Sequence, residues 1–583
     1  MPPINPMINA RLNRPMVRGW WLLLLGLLWV GLARIPLIAS ARLALDSDQA
    51  VDGLTVLSLT QGHWHSHFPG TPYQGILPAL LTLPVVLVFG VTPSALALGG
   101  VIAYGLAMAA IFLLVWSIWG QGVAFWSLVP LVFSSTGVLW LSGRISGGHF
   151  LTMGWWALSL LILGDLMRAP IAWKAGLLGI WCGLGYDLDR MFLPGLIGLF
   201  ATLVAFGFGA GRWYARILRL AVFGVGFSLG FLPYLAGLQA DPYDAYAQSH
   251  ATILDQPKYG TQDWPHVKQQ ASCNVAMLQE CLPRLISGYR YVQGKLPGER
   301  AGLQADPTPE SFGPTPRQTI SPSLGWLAVT CFGLGGILLL AATQELFRAS
   351  TLATNSRHVP QAVRYALILT TVVSVGEFLL RANHFTSSSY RYLVLLLVPY
   401  AIGVGLFLDR LFRLGGMARK LVYLLAIGTA VGFSLDTVGW YRRLGLMGSG
   451  IQQPLQDSDD PAETWLQAHP EVQAIFGGYW DVYRLSFFSG GRVRGVPYPD
   501  YPDRFPDWSR TLAAERPRIL IARNDARGPF YKALALREGG TILFERPGLW
   551  IVDWPYEPKP TPAQIQAPSP VTAEGSRTGS DTP

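Results

Sequence analysis

Apolar residues run in blocks of roughly 20 along most of this chain, at 20–39, 74–90, 94–118, 122–142, 148–166, 171–186, 191–210, 219–238, 323–345, 364–380, 392–408 and 421–440. A helix of that length crosses a hydrocarbon layer about 30 Å thick. The pattern predicts an α-helical polytopic membrane protein. Basic residues then select eleven spans. With the N-terminus cytoplasmic and 74–90 not crossing, the turns carrying Arg168 and Lys174, Arg212, Arg216 and Arg219, Arg348, Arg357 and Arg364, and Arg410, Arg413, Arg419 and Lys420 all fall inside. Arg144, Arg190, Arg381 and Arg391 fall outside, which is the positive-inside bias. A crossing at 74–90 would reverse every later turn. GILPALLTLPVVLVFG, with Pro78 and Pro84, is therefore read as a helix at or dipping into the outer interface.

The polar stretches divide the rest. Residues 1–440 form the membrane domain, with a first outer loop at 42–90 and a second at 239–321. A soluble domain at 441–556 is expected outside, followed by a Pro-, Ser- and Thr-rich tail at 557–583 that is expected to be disordered. RVRGVPY, RILIAR, TILFER and LWIVDW read as short strands, with turn chemistry at GGYW and SGG. A small α/β or mostly β domain fits. The N-terminus (Arg11, Arg14, Arg18, then Trp20–Ala39) invites a secretory-signal reading, with Ala39-Ser40-Ala41 as a cleavage site. The apolar run exceeds a signal core, so it is read as a retained first span.

Composition agrees: 51% hydrophobic and 14% charged residues, with mean hydropathy +0.33. The net charge of +9 sits in short turns between apolar runs, so it does not point to nucleic acid. Cys182 and Cys331 lie in apolar runs; Cys273 and Cys281 share the second outer loop. If that loop is extracytoplasmic, a Cys273–Cys281 disulfide is expected.

The sharpest local feature follows the first span. LALDSDQAVDG puts Asp46, Asp48 and Asp52 within seven residues, and the pattern beyond Leu45 turns helical through Thr60. Asp46 and Gln49 have the spacing of a capping box, making Asp46 an N-cap. Asp48 and Asp52 are one turn apart on one face. They form either a solvated face or, for one of them, a general base whose pKa rises beside low-dielectric lipid. The loop continues as QGHWHSHFPGTPYQG, adding His63, His65, His67 and Tyr73. The alternating histidines offer a weaker alternative, a metal site, and the nearby carboxylates would suit a hard divalent cation.

An acidic site just after the first span, in a large outer loop with a membrane-lying helix, resembles the polyprenyl-phosphate-sugar-dependent glycosyltransferases of the GT-C fold. It is similar to the bacterial relatives of protein O-mannosyltransferases and of the lipid A aminoarabinose transferase. DSDQAVDGLTVLSLTQG with GTPYQGILPALL, SSSYRYLVLLLVP, and YWDVYRLSFFSGGRV carry the match. The resemblance implies transfer of a sugar from a polyprenyl-phosphate donor to a protein, lipid or glycan hydroxyl outside a bacterial inner membrane. It also implies that Asp48 is the catalytic acid residue. The family usually has Asp-Glu where this chain has Asp48-Gln49, so Asp48 is left as the single base, with Asp46 or Asp52 to compensate. No cofactor is specified beyond that cation.

The leaving phosphate needs cationic or N–H donors. Outer turns supply Arg144 and His149, Arg190, and Arg381, His384 and Arg391. The family motif covers Arg391 and Tyr392, and Arg makes forked contacts to phosphate; anchoring at the interface is the competing role. Asp187 and Asp189 flank the same boundary and are expected to pair with Arg190, with substrate contact as the other role of Asp187. The rival class is a lipid or solute transporter, or a flippase, which would carry ionisable groups deep in its spans.

Overall fold

The computed structural model describes residues 6–145, 148–206, 213–239, 264–288, 358–381, 387–443, 446, 460–499, 503–512, 518–525 and 527–554. The membrane part begins with α1 (Pro6–Ala39), one-turn α2 (Ala41–Ala44) and α3 (Ser47–Thr60). A hairpin, β1 (His67–Phe68) and β2 (Thr71–Gly75), precedes α4 (Leu77–Phe89). There follow α5 (Pro93–Trp119), α6 (Gln121–Val132), α7 (Thr136–Ser142), α8 (His149–Arg168), α9 (Ala172–Leu188), the 3-10 turn Arg190–Phe192, α10 (Leu193–Phe206), α11 (Trp213–Gly230) and α12 (Leu232–Gln239). Next come α13 (Trp264–Ser287), α14 (His358–Leu380), the 3-10 segment Ser387–Leu396, α15 (Leu397–Leu414) and α16 (Gly416–Arg443).

Among the described residues six helices are long and apolar enough to cross a membrane, and eight if two bent pairs each count as one span. The run at 323–345 lies outside the described residues. The run at 122–142 is not a straight span. α6 and α7 meet at 82°, with Pro130 in the last turn of α6 and Ser135 capping α7 by accepting the Val138 N–H at 3.2 Å. α4 has 13 residues, about 20 Å of helix, short of a full crossing. α9 and α11 pack backbone to backbone: a Cβ at Gly179 would lie 2.2 Å from the Phe223 carbonyl oxygen, the close approach that small residues permit between membrane helices.

The expected disulfide is not formed. The second outer loop contains α13, a 24-residue helix that carries both cysteines. Eight residues along a helix separate them by about 12 Å, whereas a disulfide needs Cα atoms within about 7 Å. Neither cysteine is in a disulfide; Cys281 is buried and Cys273 exposed.

The soluble domain is α/β. Its elements are α17 (Pro461–Ala468), β3 (Ala474–Gly477), α18 (Tyr479–Phe488), β4 (Arg494–Pro497), α19 (Pro506–Leu512), β5 (Arg518–Arg523), α20 (Gly528–Arg537), β6 (Thr541–Arg546) and β7 (Leu549–Asp553). Strand order is β4-β3-β5-β7-β6. β4, β3 and β5 are parallel, while β7 runs antiparallel to both β5 and β6. The four expected strand segments are all present; β3 lies in AIFG, too short to show a period. One face of the sheet and α18 share a single hydrophobic core with α3 and α4: Val51, Leu54 and Val86 pack in one cluster with Val482, Phe487, Ile519 and Ile551. The soluble domain is thus seated on α3 and α4.

Candidate functional site

Asp46 caps α3 as its spacing implies, accepting the Gln49 N–H at 2.8 Å. It also forms a buried ion pair with Arg144. Burial pushes the Asp46 carboxyl up, and the Asp48 charge adds to this, while Arg144 and the Gln49 N–H oppose it. Arg144 therefore serves Asp46 first, not a free phosphate.

Asp48, in the first turn of α3, does not lie on a solvated face; its side chain is 25% exposed. Tyr479, the first residue of α18, donates its hydroxyl to Asp48 Oδ1 at 2.6 Å. Arg504 donates Nε–H to the Tyr479 oxygen at 2.9 Å and places its guanidinium 3.6 Å from the same Oδ1. Burial works to raise the Asp48 pKa, but Arg504, Arg391, the Tyr479 hydrogen bond and Arg144 together hold it below the ordinary carboxylate value. The expectation of an elevated pKa is overturned because three guanidiniums outweigh desolvation. Asp52, one turn on, is 1% exposed, and neither of its oxygens has a hydrogen-bond partner. Burial and the neighbouring Asp48 and Asp46 push its pKa well above the ordinary value.

The other predicted residues sort unevenly. His65 meets Ser58 at 2.9 Å and His67 meets Ser66 at 3.0 Å. Among the described residues no three His, Cys, Asp or Glu side chains come together as metal ligands, so His63, His65 and His67 do not form the alternative metal site. Tyr73 lies in β2. His384 lies outside the described residues.

At the same end of the bundle, His149 at the start of α8 contacts Asp189 at 3.2 Å, with its ring 6.3 Å from that of Tyr392. Asp189 also accepts the Met191 N–H at 2.9 Å. Among the described residues Asp187 takes part in no ion pair. Its Oδ1 is buried without a hydrogen-bond partner, as is Nε2 of Gln74, and Gly75 packs directly against the Asp187 carboxyl. Arg391 donates to the Tyr392 hydroxyl at 3.3 Å and lies over that ring at 5.2 Å. Arg381 lies over the same ring at 4.2 Å. Arg190 and Asp48 are both within electrostatic reach of Tyr392, so these groups face a common region.

Sequence reasoning missed Tyr479 and Arg504. Tyr479 opens the YWDVYRLSFF segment, already singled out; nothing in PDYPDRFPDW marks Arg504. It also missed Arg34, a fully buried arginine near the end of α1. Arg34 donates to Ser142 at 2.6 Å, to the Val30 carbonyl at 3.0 Å and to Ser134 at 3.2 Å, and it lies over the Tyr104 ring at 4.6 Å.

No protein-family model matches the sequence, and no curated protein is similar to it in sequence. Solved structures are similar over most of the chain. The match to ArnT from Cupriavidus metallidurans, bound to undecaprenyl phosphate, has 12% identity and a TM-score of 0.48, covering 90% of this chain and 97% of that one. The archaeal oligosaccharyltransferase AglB from Archaeoglobus fulgidus, in complex with an inhibitory peptide and a dolichol-phosphate, matches at 12% identity and a TM-score of 0.43, covering 88% of this chain and 71% of that one. The Archaeoglobus fulgidus oligosaccharyltransferase in complex with Zn and sulfate matches at 12% identity and a TM-score of 0.44, covering 87% and 69%.

Proposed function

We propose that this chain is a membrane glycosyltransferase that moves a sugar from a polyprenyl-phosphate donor to an acceptor hydroxyl, with Asp48 as general base. The observation that carries the proposal is the setting of Asp48: an ionised, partly exposed carboxylate at a bundle end, within electrostatic reach of Arg391 and Tyr392. The basic turns gather at the opposite bundle end, after α8 and between α15 and α16. The positive-inside bias supports a cytoplasmic side for that end and an outer side for Asp48.

A sugar on a polyprenyl carrier is held at headgroup height, because each buried methylene contributes about 0.8 kcal/mol. A base on a helix joined to the outer end of α1 meets it there. In the step proposed, Asp48 takes the acceptor hydroxyl proton, the oxygen bonds to the anomeric carbon, and the bond from that carbon to the phosphate oxygen breaks. The phosphate leaves with the electron pair and is stabilised by Arg391 and Arg190. No second carboxylate is placed as nucleophile in this scheme, so a single displacement inverts the anomeric centre. Asp187 and Gln74 offer an acceptor and a donor to sugar hydroxyls.

Arg34 does not favour a transport path. It is engaged by Ser142, Val30 and Ser134 at the α6–α7 break, where it supports the bend. Asp48→Asn keeps the shape and removes the base. Sugar transfer from purified polyprenyl-phosphate sugars should vanish while membrane insertion persists; full activity in this variant would end the assignment.

A further inference from the structure

Beyond the base itself, and resting on the reading of Asp48 as that base, we propose that Tyr479 and Arg504 of the soluble domain are positioning residues that fix one oxygen of Asp48 and aim the other at the acceptor.

The direction of the hydrogen bonds follows from donor chemistry. Arg504 has only donors to offer, so its Nε–H, 2.9 Å from the Tyr479 oxygen, must donate. The single hydroxyl proton of Tyr479 is then committed to Asp48 Oδ1 at 2.6 Å. Oδ1 is thereby occupied from the soluble side, which leaves Oδ2 to take the proton.

Each member of the relay is itself held. The Ser47 hydroxyl, next to Asp48, donates to the Tyr479 carbonyl at 2.7 Å. The Arg504 N–H donates to the Tyr483 hydroxyl at 2.7 Å, and its guanidinium reaches the Gly70 carbonyl at 3.3 Å. Asp503 accepts from Tyr483 at 3.2 Å and from the Phe505 N–H at 3.0 Å. Tyr479 follows β3 directly across Gly478. β4 and β5 leave β3 on opposite sides, so Tyr479 stands at the switch point where open α/β sheets customarily bind ligands. Here that edge is turned onto α3.

A purely docking role would be different. Docking is already supplied by the shared core around Phe487 and Leu54, which Tyr479→Phe leaves in place. Carbodiimides label carboxyls in their protonated form, so the labelling of Asp48 against pH, followed by peptide mass spectrometry on the full-length protein, reads its protonation without any substrate. In Tyr479→Phe the labelling midpoint should rise by about one pH unit, the value of a hydrogen bond to a charged group. The acid limb of the transfer-rate profile should move the same way. Arg504→Gln should raise the labelling midpoint too, through the lost charge. An unmoved midpoint in both variants overturns the inference while leaving Asp48 as base. Transfer surviving in Asp48→Asn would overturn the base instead, and the labelling shift would still report the relay.

Discussion

Arg144→Met tests how the acidic helix is held. Arg144 and Asp46 are 5% and 2% exposed as a pair, and Asp46 caps the helix that carries Asp48. Without the guanidinium, Asp46 keeps its desolvation and loses its main counter-charge. It must then fold as a neutral acid. Against an unfolded value of 3.8, holding that proton costs at most about 4.4 kcal/mol at pH 7 and about 1.6 at pH 5, taking 1.36 kcal/mol per unit. The sign is fixed: a folded pKa above the unfolded one loses stability as pH rises. The measured loss should therefore be larger at pH 7 than at pH 5 and stay below those bounds, since the wild-type carboxyl is already raised. It would be read from unfolding of the detergent-solubilised protein. Asp46→Asn combined with Arg144→Met removes the acid but keeps a capping oxygen, and should recover most of the loss. A loss equal at both pH values, or a double variant no better than the single one, would refute the reasoning.

Two further outcomes follow from burial. Asp52→Asn removes a buried acid whose pKa is raised on folding, so stability should increase more at pH 8 than at pH 5; unfolding at the two pH values checks this. Phe487→Ala empties the contact against Gly53 of α3 and should cost about 3–5 kcal/mol, lowering transfer together with stability as the relay to Asp48 loosens; paired unfolding and transfer assays check it.

What the chain disclosed in advance was local. The Asp46–Gln49 spacing located the start of α3 because a cap is decided within four residues. The apolar blocks found the helices because a span is a property of one segment. The environment of Asp48 was hidden because its partners lie 431 and 456 positions away, at Tyr479 and Arg504. The same distance explains the pKa reversal. Sequence placed Asp48 beside lipid, whereas folding places it beside guanidiniums. The cysteine pair misled for a related reason: its loop folds as a helix, and helical rise separates residues that a turn would have brought together.

The seating of the soluble domain changes what the acidic site is. Read from sequence, the first outer loop holds Asp48 and the soluble domain at 441–556 is a separate unit. In the fold, α3 has no independent interior. Its apolar residues Val51 and Leu54 are covered by α18, its Ser47 is tied to the Tyr479 backbone, and the largest of the charges holding its Asp48 carboxyl down, Arg504, comes from the soluble domain. Removing that domain would expose the apolar side of α3 and release the carboxylate from its main counter-charge in a half-desolvated setting, where its proton affinity rises. Carboxylate, orientation and charge state are thus supplied by different ends of the chain. The acidic helix can present the proposed base only as the contact layer between two domains.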